Sequence, residues 1–305
     1  MRFFKSARGP AGLRGKTIAV AAVAACFGAL SLASTASAAS HNPKGEWANF
    51  GECPLSNPKV FLCMYSVTSS GSFTVGNKTV PLKNPVTLQG GIEVDPVTFA
   101  SKFVGAENGD TLSKTAQPVP GGLLGIEAPA WWPKFLRDLF NEEVINKGLT
   151  GVTATVELAA PASQISVNLE NLILEKGTAL GLPIKVKLSN SFLGSNCYIG
   201  SNSKPIVIDF TTGTTSPPLP NTPISGDVGM VEVNETETLA TFSGGKLVNN
   251  SFAAPGASGC GGLFSIFVDP LVNSILGTPA AAGKNTAILE GKIQSAPAAA
   301  VKASE

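Results

Sequence analysis

Histidine occurs once in this 305-residue chain, as His41, and that scarcity excludes several chemistries at once. Serine and cysteine nucleophiles are activated by an imidazole that a third group holds in place. A lone histidine, three residues past the processing site read below, is expected in a mobile terminus rather than in a catalytic site. Zinc sites built on histidine fall with it. No G-x-S-x-G, phosphate-binding loop or strand–helix G-x-G-x-x-G is present, so no cofactor is implied. Arginine is nearly as scarce: beyond residue 38 only Arg137 remains. Planar bidentate contacts to phosphate and guanine need arginine, so a nucleic-acid partner is not expected. Charged residues make up only 14% of the chain. Beyond residue 38 no apolar run approaches the roughly 18 residues that span a bilayer.

What is present begins with an export signal. Arg2, Lys5, Arg8, Arg14 and Lys16 form a basic start with no acidic residue. Residues 17–32 are apolar and alanine-rich, and Ala36-Ser37-Ala38 gives the small-x-small pattern of signal peptidase sites. Cleavage is expected after Ala38, with 1–38 as signal peptide. Val23-Ala24-Ala25-Cys26 offers a competing lipoprotein reading, but Phe27, Leu30 and Leu32 carry the apolar segment past that cysteine. Of the 22 basic residues the signal holds five, leaving 17 against 21 acidic ones, a net charge of −4. The 267 residues left from 305 after removing 38 can bury a large core. Residues 39–295 read as one β-rich exported domain, with intimate subdomains meeting near 118–130 as the variant of that reading. Residues 296–305 (APAAAVKASE) have the composition of a disordered tail.

Four cysteines lie beyond the signal, Cys53, Cys63, Cys197 and Cys260, and they allow three pairings. The close pair encloses the turn formers Pro54, Asn57 and Pro58, which favours Cys53–Cys63 and leaves Cys197–Cys260. Metal sites set two cysteines within two to four residues and add histidine. Neither feature is here, so the cysteines are expected to be structural.

Short β-branched and aromatic runs punctuated by Gly, Pro and Asn recur along the chain. Strands are expected at 60–68, 73–82 with a hairpin turn at Gly76-Asn77-Lys78, 85–94, 151–158, 164–174, 182–188, 197–199, 206–210, 229–233, 238–242 and 286–293. A turn is expected at Ser69-Ser70-Gly71. Residues 211–223 (TTGTTSPPLPNTP) read as a long surface loop. The fold class is therefore mainly β, an antiparallel sandwich-like architecture, interrupted by two helices. One is amphipathic, about 133–147, opened by Pro133 and closed by Gly148, with Trp132, Phe135, Leu136, Leu139 and Phe140 on one face. The other is short, about 270–276, with Asp269 as N-cap, Pro270 first and Gly277 as stop.

Candidate sites are few. Trp131, Trp132, Phe135, Leu136, Leu139 and Phe140 form a candidate apolar contact, expected to pack on the sheet or, on the rival reading, to close over a lipid. Glu93 with Asp95, and Glu232, Glu235 and Glu237, could hold Ca²⁺ or cleave glycosides, but read as acids guarding strand edges. Tyr65 and Tyr198 sit beside cysteines in strands and are expected in the core. Residues 180–201 (LGLPIKVKLSNSFLGSNCYIGS), the Ser/Thr/Pro loop after them and the alanine-rich signal resemble exported actinobacterial proteins that carry no assigned function. The resemblance implies a secreted or cell-envelope location and no active site. The expected function is a non-catalytic structural or interaction module whose partner is unassigned, with a cell-surface or apolar ligand in view. A carrier of an apolar small molecule or lipid is the alternative, and a carboxylate-dependent hydrolase a third.

Overall fold

The structure is a computed structural model describing residues 41–95, 101–122, 130–139 and 151–305. In chain order the elements are β1 (Val60–Val75), β2 (Lys78–Pro81), β3 (Val86–Val94), β4 (Ser101–Gly105), β5 (Ala116–Pro118), α1 (Lys134–Leu139) and β6 (Thr153–Leu158). Then follow β7 (Ser166–Val167), α2 (Leu169–Ile173), β8 (Leu180–Ser189), β9 (Tyr198–Ile199), β10 (Ile206–Phe210), β11 (Met230–Val233) and β12 (Ala240–Asn249). The last are β13 (Ala257–Ser258), α3 (Ser265–Leu276), β14 (Thr286–Pro297) and α4 (Ala298–Ala303). Two antiparallel sheets pack together as a mainly-β sandwich. The first has the order β11-β12-β14-β1-β3-β4, with β2 also on β1. The second has the order β13-β9-β8-β6-β5, with β7 and β10 also on β8.

Period-two burial explains why these segments are strands. In β10, Ile206, Ile208 and Phe210 are buried while Val207 and Asp209 face outward. One apolar core runs between the sheets, joining Met64, Leu88, Phe242 and Leu247 of the first to Leu182, Ile184, Leu188 and Phe210 of the second. The sheets are stitched at one side by Thr211 and Val248, whose amides and carbonyls bond reciprocally at 3.0 and 2.9 Å. A smaller cluster gathers Phe50, Leu55, Val60 and Leu239 around Cys53 and Cys63.

Several elements depart from expectation. β1 does not turn at Ser69-Ser70-Gly71: it runs through, and Ser69 becomes an extra residue between Thr68, opposite Gly291, and Ser70, opposite Glu290. Pairing with the long β14 holds the chain extended where local sequence favours a turn. Residues 164–174, read as a strand, hold only the two-residue β7 and then α2. Asn168 caps α2 by accepting from the Asn171 amide, 2.9 Å, and Leu169, Leu172 and Ile173 follow helical spacing. The short helix starts five residues before Pro270, so Pro270 lies inside α3. Asp269 is no N-cap; its carboxylate accepts from the Gly259 and Cys260 amides at 3.1 and 2.7 Å. Pro270 is tolerated because it lies beside exposed Ile266, whose unpaired carbonyl can meet water. Gly277 closes the helix in the left-handed region, φ 68°. The tail is ordered: β14 runs to Pro297, α4 follows, and Val301 is fully buried.

Candidate functional site: an apolar interior between the sheets

The inner faces of the two sheets do not fill the space between them. The largest void, about 70 Å³, is walled by Phe73 of β1, Val80 of β2, Val156 of β6 and Ile184 of β8, and reaches Leu276 of α3. A second, about 50 Å³, shares Phe73, Leu82, Val156 and Ile184 with it. A third, about 30 Å³, shares Ser66, Leu88, Leu180 and Leu247 with the second. Three voids with common walls thus run in file through the sandwich. Well-packed cores hold few voids larger than a water, and apolar voids stay dry and accept apolar guests.

Two polar side chains reach the walls of the largest void. Gln117 is spent on the fold: its oxygen accepts from the Lys83 and Asn84 amides at 2.9 and 3.0 Å, and its nitrogen donates to the Asn84 carbonyl at 2.7 Å. Among the described residues Lys78 is the one ionisable residue in that wall, and it forms no ion pair with any of them. The void accordingly offers almost pure hydrocarbon contact along its length.

The residues expected to make an apolar contact lie elsewhere. Trp131 is 82% exposed, Phe135 68% and Leu139 57%, and α1 buries none of its residues. Trp131, Phe135 and Leu139 therefore do not pack on the sheet, and none of them belongs to the core, whose helical members are Leu172 of α2 and Val268, Val272 and Leu276 of α3. Trp131 and Trp132 meet edge to face, ring centres 6.1 Å apart. Phe140 and residues 140–147 of the expected helix lie outside the described residues. Of the described side chains, Trp131, Trp132, Phe135, Leu136 and Leu139, none lines the voids. A second apolar surface was not foreseen: Leu263, Phe264, Ile266 and Phe267 are all exposed where α3 begins.

The disulfides join Cys53 to Cys63 and Cys197 to Cys260. Glu93 accepts from Asn57 Nδ2 at 2.7 Å and sits opposite Lys102 of β4. Glu232 lies on the exposed edge strand β11, and Glu235 and Glu237 belong to the turn that Asn234 holds by accepting from the Thr238 and Leu239 amides. Among the described residues no three His, Cys, Asp or Glu side chains converge as metal ligands. His41 is not in a loose terminus: its ring stands between Glu107 and Glu305.

Tyr198 is only partly buried and forms a small polar cluster on the second sheet. Lys185 Nζ lies 4.9 Å from its ring centre and 3.7 Å from Glu157 Oε2. Burial, and then the neighbouring Glu157 carboxylate, push the Tyr198 phenol above its ordinary value of 10.0. Tyr65 faces the outer side of the first sheet, where it is partly buried against the smaller cluster around Cys53 and Cys63. Alternation along β1, β6 and β8 could have pointed to the void-lining residues, but the gaps between them are properties of packing. No protein-family model, curated protein or solved structure matches the chain. Among the described residues no helix is long and apolar enough to cross a membrane.

Proposed function

We propose that this is an exported, non-catalytic binder of a small apolar molecule, held between the two sheets. The observation that carries the reading is the file of three apolar voids with common walls. Two disulfides suit an oxidising destination such as the cell exterior or envelope. An occupant would gain about 25 cal/mol for each Å² of apolar surface it buries, with no hydrogen bond to satisfy along most of the walls. The interaction-module reading keeps one specific support: Leu263, at 98% exposure, stands with Phe264, Ile266 and Phe267 on a surface of the kind that contacts partners.

Native mass spectrometry of protein from its own culture medium, with a titration by benzene as probe alongside, tests the binder reading. Wild-type protein should take up the probe, and Ala154→Phe, which fills the largest void, should abolish uptake while still melting cooperatively. Absence of both ligand mass and probe uptake would leave the surface reading in its place.

A further inference from the structure

The first sheet carries a groove on its outer face, opposite the voids. Its volume is about 820 Å³, and it is open along its length. Two β-bulges at the same level create it. Ser69 is the extra residue where β1 meets β14, and Gly244 is the extra residue where β12 meets β14. Both bulges flank Gly291, so the sheet is dented on either side of its central strand. Gly291 must be glycine, because a Cβ there would stand 1.9 Å from the Val67 carbonyl oxygen. Bulges bend strands, re-aim side chains and concentrate beside functional sites.

Cross-strand register sets three rows of side chains across this dent. Tyr65 lies opposite Gln294, whose side-chain oxygen accepts from Asn49 Nδ2 at 2.8 Å. Val67 lies opposite Lys292. Ser70, Glu290, Lys246 and Asp227 follow as successive neighbours across four segments. Ser70 Oγ donates to Glu290 Oε2 at 3.1 Å, and Asp227 Oδ1 accepts from the Gly229 amide at 2.6 Å. Neither Lys246 nor Lys292 forms an ion pair among the described residues. Two ammonium groups and two carboxylates therefore face one open trench with balanced charge.

We propose that this groove binds a neutral oligosaccharide. The trench is open at its length, which admits a chain rather than a compact molecule. Balanced charges select no net charge in the ligand, while each ionised group still makes a strong hydrogen bond to a hydroxyl. The hydroxyls of Ser69 and Ser70 and the exposed Asn49 amide, all in the groove wall, both donate and accept, as a polyhydroxylated partner requires. Tyr65 is partly buried against the cluster around Cys53 and Cys63 and also lines the groove, where it offers the C–H side of a sugar an aromatic contact with a hydroxyl at its tip. Lysine or glutamate placed only for solubility would need neither the paired bulges nor the aromatic ring. The groove is on the other face of the sheet from the voids, so the proposal does not rest on the apolar-ligand reading.

Native gels cast with soluble dextran, laminarin or xylan test it on the whole secreted protein. At least one of the polysaccharides should retard the wild type, and the retardation should persist in ~0.5 M NaCl, where charge–charge attraction is screened within a few Å. Tyr65→Ala and Lys246→Ala should each weaken it by about tenfold. Ser69→Trp, which fills the groove from an exposed position and spares the core, should abolish it even if Tyr65→Ala folds poorly. No retardation in any of the gels, retardation lost in salt, or retardation unchanged in Ser69→Trp would each overturn the proposal.

Discussion

His41 Nδ1 lies 2.6 Å from Glu305 Oε1, tying together residues 264 positions apart in sequence. On the other side of the ring, Nε2 stands 3.3 Å from Glu107 Oε2, at ion-pair distance but off the hydrogen-bonding direction. The Lys44 ammonium donates to the Glu305 carbonyl, and the Lys44 amide to the Ser304 carbonyl at 3.2 Å. The expectation of a mobile His41 fails because the segment after α4 returns beside it.

His41→Ala should therefore loosen α4 rather than affect any chemistry. The pair is partly solvated, so the loss should be modest, about 1 kcal/mol. Hydrogen exchange should show faster exchange of the 301–304 amides in the variant, with β10 and β8 unchanged.

Removal of the exposed tryptophan should be almost silent. Trp131 at 82% exposure contributes little burial, so Trp131→Ala should shift stability by less than about 0.5 kcal/mol. Phe210, fully buried where β10 meets the core, should cost about 3–5 kcal/mol when cut to alanine. Urea melts of the two variants side by side check both values.

The raised Tyr198 phenol predicts an alkaline loss of stability. Its folded pKa lies above the unfolded value near 10, so the folded state keeps the proton longer. That contribution is complete below pH 10 and is lost as pH rises through the raised folded value. In a Tyr65→Phe background, an ultraviolet titration should place the remaining phenol above 10. Glu157→Gln should lower it only in part, because burial is the larger cause.

The two disulfides should differ in worth. Cys197 and Cys260 are 63 residues apart, Cys53 and Cys63 only 10. Chain entropy makes the long loop worth ~4 kcal/mol and the short one ~2.5 kcal/mol. Paired alanine replacements, followed by denaturant melts, should rank in that order, and non-reducing peptide maps should show these two linkages.

The sequence by itself was sufficient for the β-sandwich class and for most strand positions. Alternation within β6 and β10 is a local signal, repeated every two residues, and no partner is needed to read it. The Gly76-Asn77 turn between β1 and β2 and the Gly277 helix stop were equally local. Tertiary structure alone decided the rest. Pairing with β14 carried β1 straight through Ser69-Ser70-Gly71. Contact with Gly259 and Cys260 turned Asp269 from a cap into a brace. The voids depend on how side chains of two sheets meet, and the groove depends on registers between β1, β12 and β14. Those partners are separated by tens to hundreds of residues, and short-range patterning carries no information about the gap or offset between them.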